Sequence, residues 1–126
     1  MNFVLVFFGA GIGGALRHAV NLLFMRAGAT AFPFATLTVN VVGSFAMGAL
    51  TVLFAQRTAI PQEMRLLLTT GLLGGFTTFS TFSLDFAALW ERGKMGSALV
   101  YGASSFALSL GGIFLAMMLF RSLGRA

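Results

Sequence analysis

"GGFTTFSTFS", residues 74–83, contains only phenylalanine and hydroxyl residues from Phe76 onward. Thr77, Thr78, Ser80, Thr81 and Ser83 set five hydroxyls around Phe79 and Phe82, in a segment with leucines on both sides. A hydroxyl moved into hydrocarbon without a partner costs roughly 2–7 kcal/mol, depending on the reference state. The groups that offset this cost define what the segment is for.

The surroundings of the motif are those of a membrane protein. Of 126 residues, 58% are hydrophobic and 9% charged, and only two are proline. Soluble domains carry about 25% charged residues. A spanning helix needs about 20 largely apolar residues, and four stretches qualify: 3–25, 34–55, 64–90 and 97–120. Transmembrane strands would instead read as alternating segments of about 10 residues. An all-α protein of four transmembrane helices in a single domain, 1–126, follows, in contact with the lipid bilayer and with no room for a soluble domain. The first stretch lacks a basic amino-terminal region and a clear cleavage site, so it reads as a retained helix.

Within the third helix the hydroxyls follow Gly71, Gly74 and Gly75. Serine and threonine can return their protons to carbonyls one turn earlier and bend a helix. This combination predicts a break near 74–80. Unwound backbone at membrane depth is tolerated only where it is buried in protein or lines a cavity, and carbonyls freed there can hold a small cation. Phe76, Phe79, Phe82 and Phe86, spaced three, three and four, are expected to form one aromatic face.

Polar residues recur on the other helices. Helix two carries Thr36, Asn40, Ser44 and Gly48 on one face. Asn40 either joins helices by hydrogen bonding or donates its amide N–H to a passing anion. Helix four carries Tyr101, Ser105 and Ser109 at i, i+4 and i+8, a single polar stripe with the same two readings. In helix one, Gly9, Gly11, Gly13 and Gly14 favour close backbone approach. Arg17 either snorkels to the headgroups or sits at the mouth of an aqueous cavity, where its charge draws anions. His18 has no metal-ligand partner nearby, and no partner for Asp85 can be read from the sequence.

No catalytic constellation is present. Glu63, Asp85 and Glu91 are the only carboxylates and His18 the only histidine, and no triad, metal-binding spacing or phosphate loop appears. An enzyme is not expected. The chain has no cysteine, which removes disulfides and thiolate metal sites. Its net charge of +5 is spread over the whole chain, a poor pattern for nucleic-acid binding. Arg57, Arg65, Arg121 and Arg125 fall on one side of the four-helix topology; Arg26, Arg92, Lys94 and, with an early helix end, Arg17 fall on the other. So even a tally provides little of the bias that normally sets orientation. Either both orientations insert, permitting an antiparallel homodimer, or Arg57 and Arg65 dominate and one orientation results. A conduit lined by Asn40, hydroxyls and ring edges suits anions, because aromatic edges are positive and no acid lies at mid-membrane.

"TTGLLGG" and "GGFTTFSTFS" in helix three, "NVVGSFAMG" in helix two and "GALRH" in helix one together resemble the Fluc family of bacterial fluoride channels, also called CrcB. The similarity runs through all four helices, and the third-helix motif is long and unusual. The resemblance implies a fluoride-selective passive channel in the bacterial cytoplasmic (inner) membrane. It also implies a dual-topology antiparallel homodimer with two pores and one central structural sodium ion. On this basis Phe79 and Phe82 meet fluoride with their ring edges, and Asn40 donates to it. Tyr101, Ser105 and Ser109 form a polar track, and Arg17 matches the family's first-helix arginine. Gly74 and Thr77 offer backbone carbonyls to sodium. His18 stands where an aromatic is commoner, and Asp85 where glutamate is. The competing reading is a small multidrug-resistance-type, proton-coupled exporter. Such a carrier needs a membrane-embedded carboxylate, and residues 1–25 contain none.

Overall fold

In a computed structural model, which describes residues 1–125, the secondary structure is entirely helical. Helices α1 (Asn2–Arg26) and α2 (Phe34–Gln56) are the first two spans. The third span consists of α3 (Gln62–Leu66), a π-helical segment (Leu67–Leu73), α4 (Gly74–Phe76) and α5 (Phe79–Glu91). The last is α6 (Met95–Arg125), which starts two residues before the stretch expected from the sequence and runs five beyond it. All four spans are long and apolar enough to cross a membrane.

Local chemistry sets the ends. After α1, Gly28 takes φ +75°, which costs glycine nothing sterically, and donates to the Met25 carbonyl at 3.1 Å. Gly93 does the same after α5 at φ +76°, donating to Trp90 O at 3.0 Å. Pro33 and Pro61 stand immediately before α2 and α3, where a missing N–H leaves no helical bond unmade.

The outer surface is apolar. Phe3 is 93% exposed and Phe114 63%, which a water-soluble protein of this size would not sustain on every side. Lipid is the solvent for these faces, so association between helices must come from close packing.

Helix α1 packs chiefly against the first half of the third span, and α2 against α6. The first contact is made by glycines four residues apart on both partners. A Cβ on Gly9 would lie 2.8 Å from Leu67 O and 2.9 Å from Gly71 Cα. A Cβ on Gly13 would overlap the Leu72 carbonyl, and one on Gly75 would overlap that of Ala10. On the third span the close contacts recur at residues 67, 71 and 75. An α-helix rotates such a face by about 40° every four residues. The wider π turns counter that drift, so three successive contacts stay against α1.

Helix α5 closes on α6 through a small core of Phe82, Leu89, Ala98 and Tyr101, flanked by Phe32, Leu37 and Phe86. Two hydroxyls tie this corner together. Thr36 Oγ1 donates to Asp85 Oδ2 at 2.7 Å, and Tyr101 donates to the same oxygen at 3.1 Å. Asp85 therefore joins α2, α5 and α6, a partnership that the sequence did not reveal.

Candidate functional site

The third span is interrupted at its midpoint. Thr77 (φ −85°, ψ 157°) and Thr78 (φ −155°, ψ 123°) are extended between α4 and α5. Two helix ends are thereby created within the bilayer, and their orphan groups need partners. The hydroxyls at the start of the motif supply several. Thr77 donates both its N–H, at 3.0 Å, and its Oγ1, at 2.9 Å, to Leu73 O. Thr78 Oγ1 accepts the Thr81 N–H at 3.2 Å, capping α5, and donates its own proton to the Thr81 hydroxyl oxygen at the same distance. Ser80 Oγ lies 3.3 Å from Thr78 Oγ1, and Ser83 donates to Phe79 O at 3.1 Å. All five hydroxyls have an intrachain partner.

Other helices complete the repair. Asn40 on α2 accepts the Thr78 N–H at Oδ1 (2.8 Å) and donates Nδ2 to Thr78 O (3.0 Å). The approach is permitted by Gly43, where a Cβ would overlap the Thr77 methyl group. Arg17 on α1 donates Nε to Gly75 O at 3.2 Å. It turns inward to the break instead of snorkelling, because the glycine contact brings α1 against α4. The carbonyls of Gly74 and Thr77 receive no backbone hydrogen bond across the break among the described residues.

The interruption also divides the aromatic stripe. Two extended residues replace the helical turn that would have put Phe76 and Phe79 on one face. Phe79 and Phe82 remain together (ring centroids 5.5 Å), and Phe82 continues to Phe86 (6.5 Å). Phe76 is separated from them and instead lies 3.4 Å from the Cβ position of Gly43.

Beside the break is a groove of about 360 Å³, lined on three sides by α2, the break with α5, and α6. It brings together Asn40, Phe79, Phe82, Ser105 and Ser109 of the residues singled out in the sequence. Phe82 is buried, packed 5.0 Å from Tyr101 and edge-on to Phe106 at 6.1 Å; Phe79 is 70% exposed. Asn40 has one amide proton left after serving Thr78. Ser105 is 7% exposed, yet its hydroxyl has no partner. The acceptor it would normally use, Tyr101 O, already receives Ser104 at 3.3 Å. An unsatisfied hydroxyl of this kind costs about 1–3 kcal/mol.

Tyr101 and Arg17 lie outside the groove. Tyr101 is fully buried, its hydroxyl committed to Asp85. Arg17 borders a cavity of about 80 Å³ with Asn21, Thr36 and Thr81. These three also line a cavity of about 240 Å³ beneath the α1–α2 loop, together with Thr30, Asp85 and Arg92. A polar surface thus leads from that loop to the break, on the α1 side. Asn21 was missed in the sequence; its i+4 spacing from Arg17 was the available signal.

A multi-pass membrane protein with an interrupted helix, a polar groove at the interruption and a separate polar approach belongs with proteins that move solutes across bilayers. The chain belongs to the CrcB family: residues 4–117 match the model described as CrcB-like protein, Camphor Resistance (CrcB). It is 54% identical over 125 residues to a protein of Granulibacter bethesdensis, covering 99% of this chain and 98% of the relative. A Methylobacterium nodulans protein is 50% identical over 124 residues, covering 98% and 99%. A Rhodopseudomonas palustris protein is 46% identical over 123 residues, covering 98% and 99%. All three relatives are named fluoride-specific ion channel FluC, a channel and not an enzyme.

Proposed function

We propose that the chain forms a fluoride-selective passive channel that exports the anion and lowers its cytoplasmic concentration. The observation that carries this reading is the orphaned Ser105 hydroxyl in the groove beside Phe79 and Phe82. Fluoride entering there would find donors in Ser105, Ser109 and the second Asn40 N–H, and positive ring edges at the two phenylalanines. Together these replace part of its hydration shell. Thr78 fixes the Asn40 amide in advance, so no reorganisation is needed when the ion arrives. Tyr101 contributes by holding Phe82, and Arg17 by placing positive charge at the break. The relatives' name agrees with this ion.

A pump is unnecessary. Hydrogen fluoride crosses bilayers as a neutral acid and dissociates in a less acidic cytoplasm. The inside-negative potential then drives the anion outward, by about 2.3 kcal/mol per charge per 100 mV.

The assembly in this reading is an antiparallel, dual-topology homodimer in the bacterial inner membrane, with two pores. The near-even charge tally supports it, as does the open groove, where Phe79 awaits a covering surface. A structural sodium ion fits the carbonyls of Gly74 and Thr77: the break leaves them without backbone donors, and hard oxygen ligands suit such a cation. Bound there, it would supply fixed positive charge between two chains.

The deciding experiment is fluoride and chloride efflux from liposomes containing the purified protein, measured side by side. Rapid fluoride efflux with little chloride is expected when only an electrical gradient is applied. Efflux that strictly requires a proton gradient would instead indicate an exporter.

A further inference from the structure

Helices α2 and α6 are the second and fourth spans, so they cross the membrane in the same direction. Two contacts set their register. Asp85 bridges Thr36 and Tyr101, and a Cβ on Gly48 would lie 2.5 Å from Ile113 O. Both pairs are separated by the same 65 positions. That offset also matches Asn40 with Ser105 and Ser44 with Ser109. Equal rise per residue puts the members of each pair at the same depth, and Asn40, Ser44, Ser105 and Ser109 all line the one groove. The result is a ladder of paired side chains about 6 Å apart along the axis.

The pairs of this ladder differ in what remains free. Thr36 and Tyr101 are committed to Asp85. Asn40 serves Thr78, and Ser105 has no partner. The next pair, Ser44 and Ser109, lines the same groove. Helical hydroxyls elsewhere in the chain return their protons to the carbonyl four residues earlier: Thr51 at 2.8 Å, Thr69 at 2.7 Å and Ser104 at 2.6 Å. Among the described residues, Ser44 and Ser109 make no such bond. One turn further the groove turns apolar at Met47 and Ile113.

We propose that Ser44 is a further anion-contacting residue, forming with Ser109 a second halide station one turn beyond Asn40 and Ser105. It is the last pair of donors before the apolar end, and so the place where an ion is held before losing hydration or just after regaining it. This inference rests on the channel reading of the groove and adds to it a residue and a second site. Adjacent stations about 6 Å apart suit passage in which one ion displaces the next.

The test measures fluoride efflux from liposomes against fluoride concentration. Ser44→Ala is expected to raise the half-saturating concentration about tenfold, the effect of losing one hydrogen bond to a charged group. Ser44→Thr should stay within about twofold of the parent, and Ser44→Val, of nearly the same shape, should behave like Ser44→Ala. Threonine against valine separates the hydroxyl from packing, because a purely structural role would make the two alike. A parental half-saturation in Ser44→Ala and Ser44→Val, with Phe79→Ile silent in the same assay, removes Ser44 from the pathway and leaves the channel reading intact. If Phe79→Ile conducts like the parent, the groove is not the pore, and both proposals fail.

Discussion

Asn40 and Thr78 close a ring of two hydrogen bonds across the interrupted helix, the amide side chain accepting from the Thr78 N–H at 2.8 Å and donating to its carbonyl at 3.0 Å. Both backbone groups belong to a helix end at bilayer depth, where water is scarce. Asn40→Ala would strand them, at about 1–3 kcal/mol for each group left unmet. Asn40→Asp keeps the acceptor for the N–H but turns an ionised oxygen toward the Thr78 carbonyl, so at neutral pH it should lose at least as much stability as Asn40→Ala. Unfolding in mild detergent, followed by circular dichroism, checks the order. Equal stability of Asn40→Ala and the parent would mean that the ring does not hold the break.

The glycine contact gives a steric prediction. In Gly13→Ala the new methyl group meets the backbone of Leu72 and Phe76, neither of which is a flexible chain end. Overpacking of this kind costs about 3 kcal/mol or more. Gly96→Ala, where no atom lies within 4 Å, should be neutral or slightly stabilising because alanine favours helix. Yield of monodisperse protein and its melting temperature distinguish the two. Comparable behaviour would refute the close approach of α1 to the third span.

The two groove phenylalanines should separate stability from conduction. Phe82 is 8% exposed and packs on Tyr101, Phe86 and Phe106, whereas Phe79 is 70% exposed. Phe82→Ile is expected to cost about 1–3 kcal/mol in folding, through lost core packing, and Phe79→Ile less than about 0.5 kcal/mol in the isolated chain. Both should abolish most fluoride efflux. Paired melting and flux measurements test this, and full conduction by either variant would count against ring-edge contact with the ion.

The proposed sodium site is tested by exchange. With sodium exhaustively replaced by a large organic cation, the expected outcome is loss of dimer stability or of fluoride efflux. Dimers that assemble and conduct equally in the new medium would show that the Gly74 and Thr77 carbonyls hold no required cation.

Much of this was legible before any coordinates. The four spans follow from apolar length, which depends on composition and not on partners, and the break follows from glycines beside helix-bending hydroxyls. Groove residues at four-residue spacing on α2 and α6 could be named because a helix fixes which of its own residues share a face. The Thr36–Asp85–Tyr101 junction, Arg17 reaching Gly75 and the separation of Phe76 from Phe79 could not be. Each depends on the direction taken by the chain after two extended residues, or on a helix distant in sequence.

What the amino-acid order determined by itself was therefore the set of helices and the polar face of each. Only the tertiary structure decided which polar groups spend their hydrogen bonds on one another and which are left without a partner. Asn40 and Ser105 appear equivalent as members of polar stripes, but one is held by Thr78 and the other has no partner. Hydrogen bonds reach about 3 Å and require alignment. Satisfaction is thus a property of three-dimensional neighbours, which spacing along one helix does not encode.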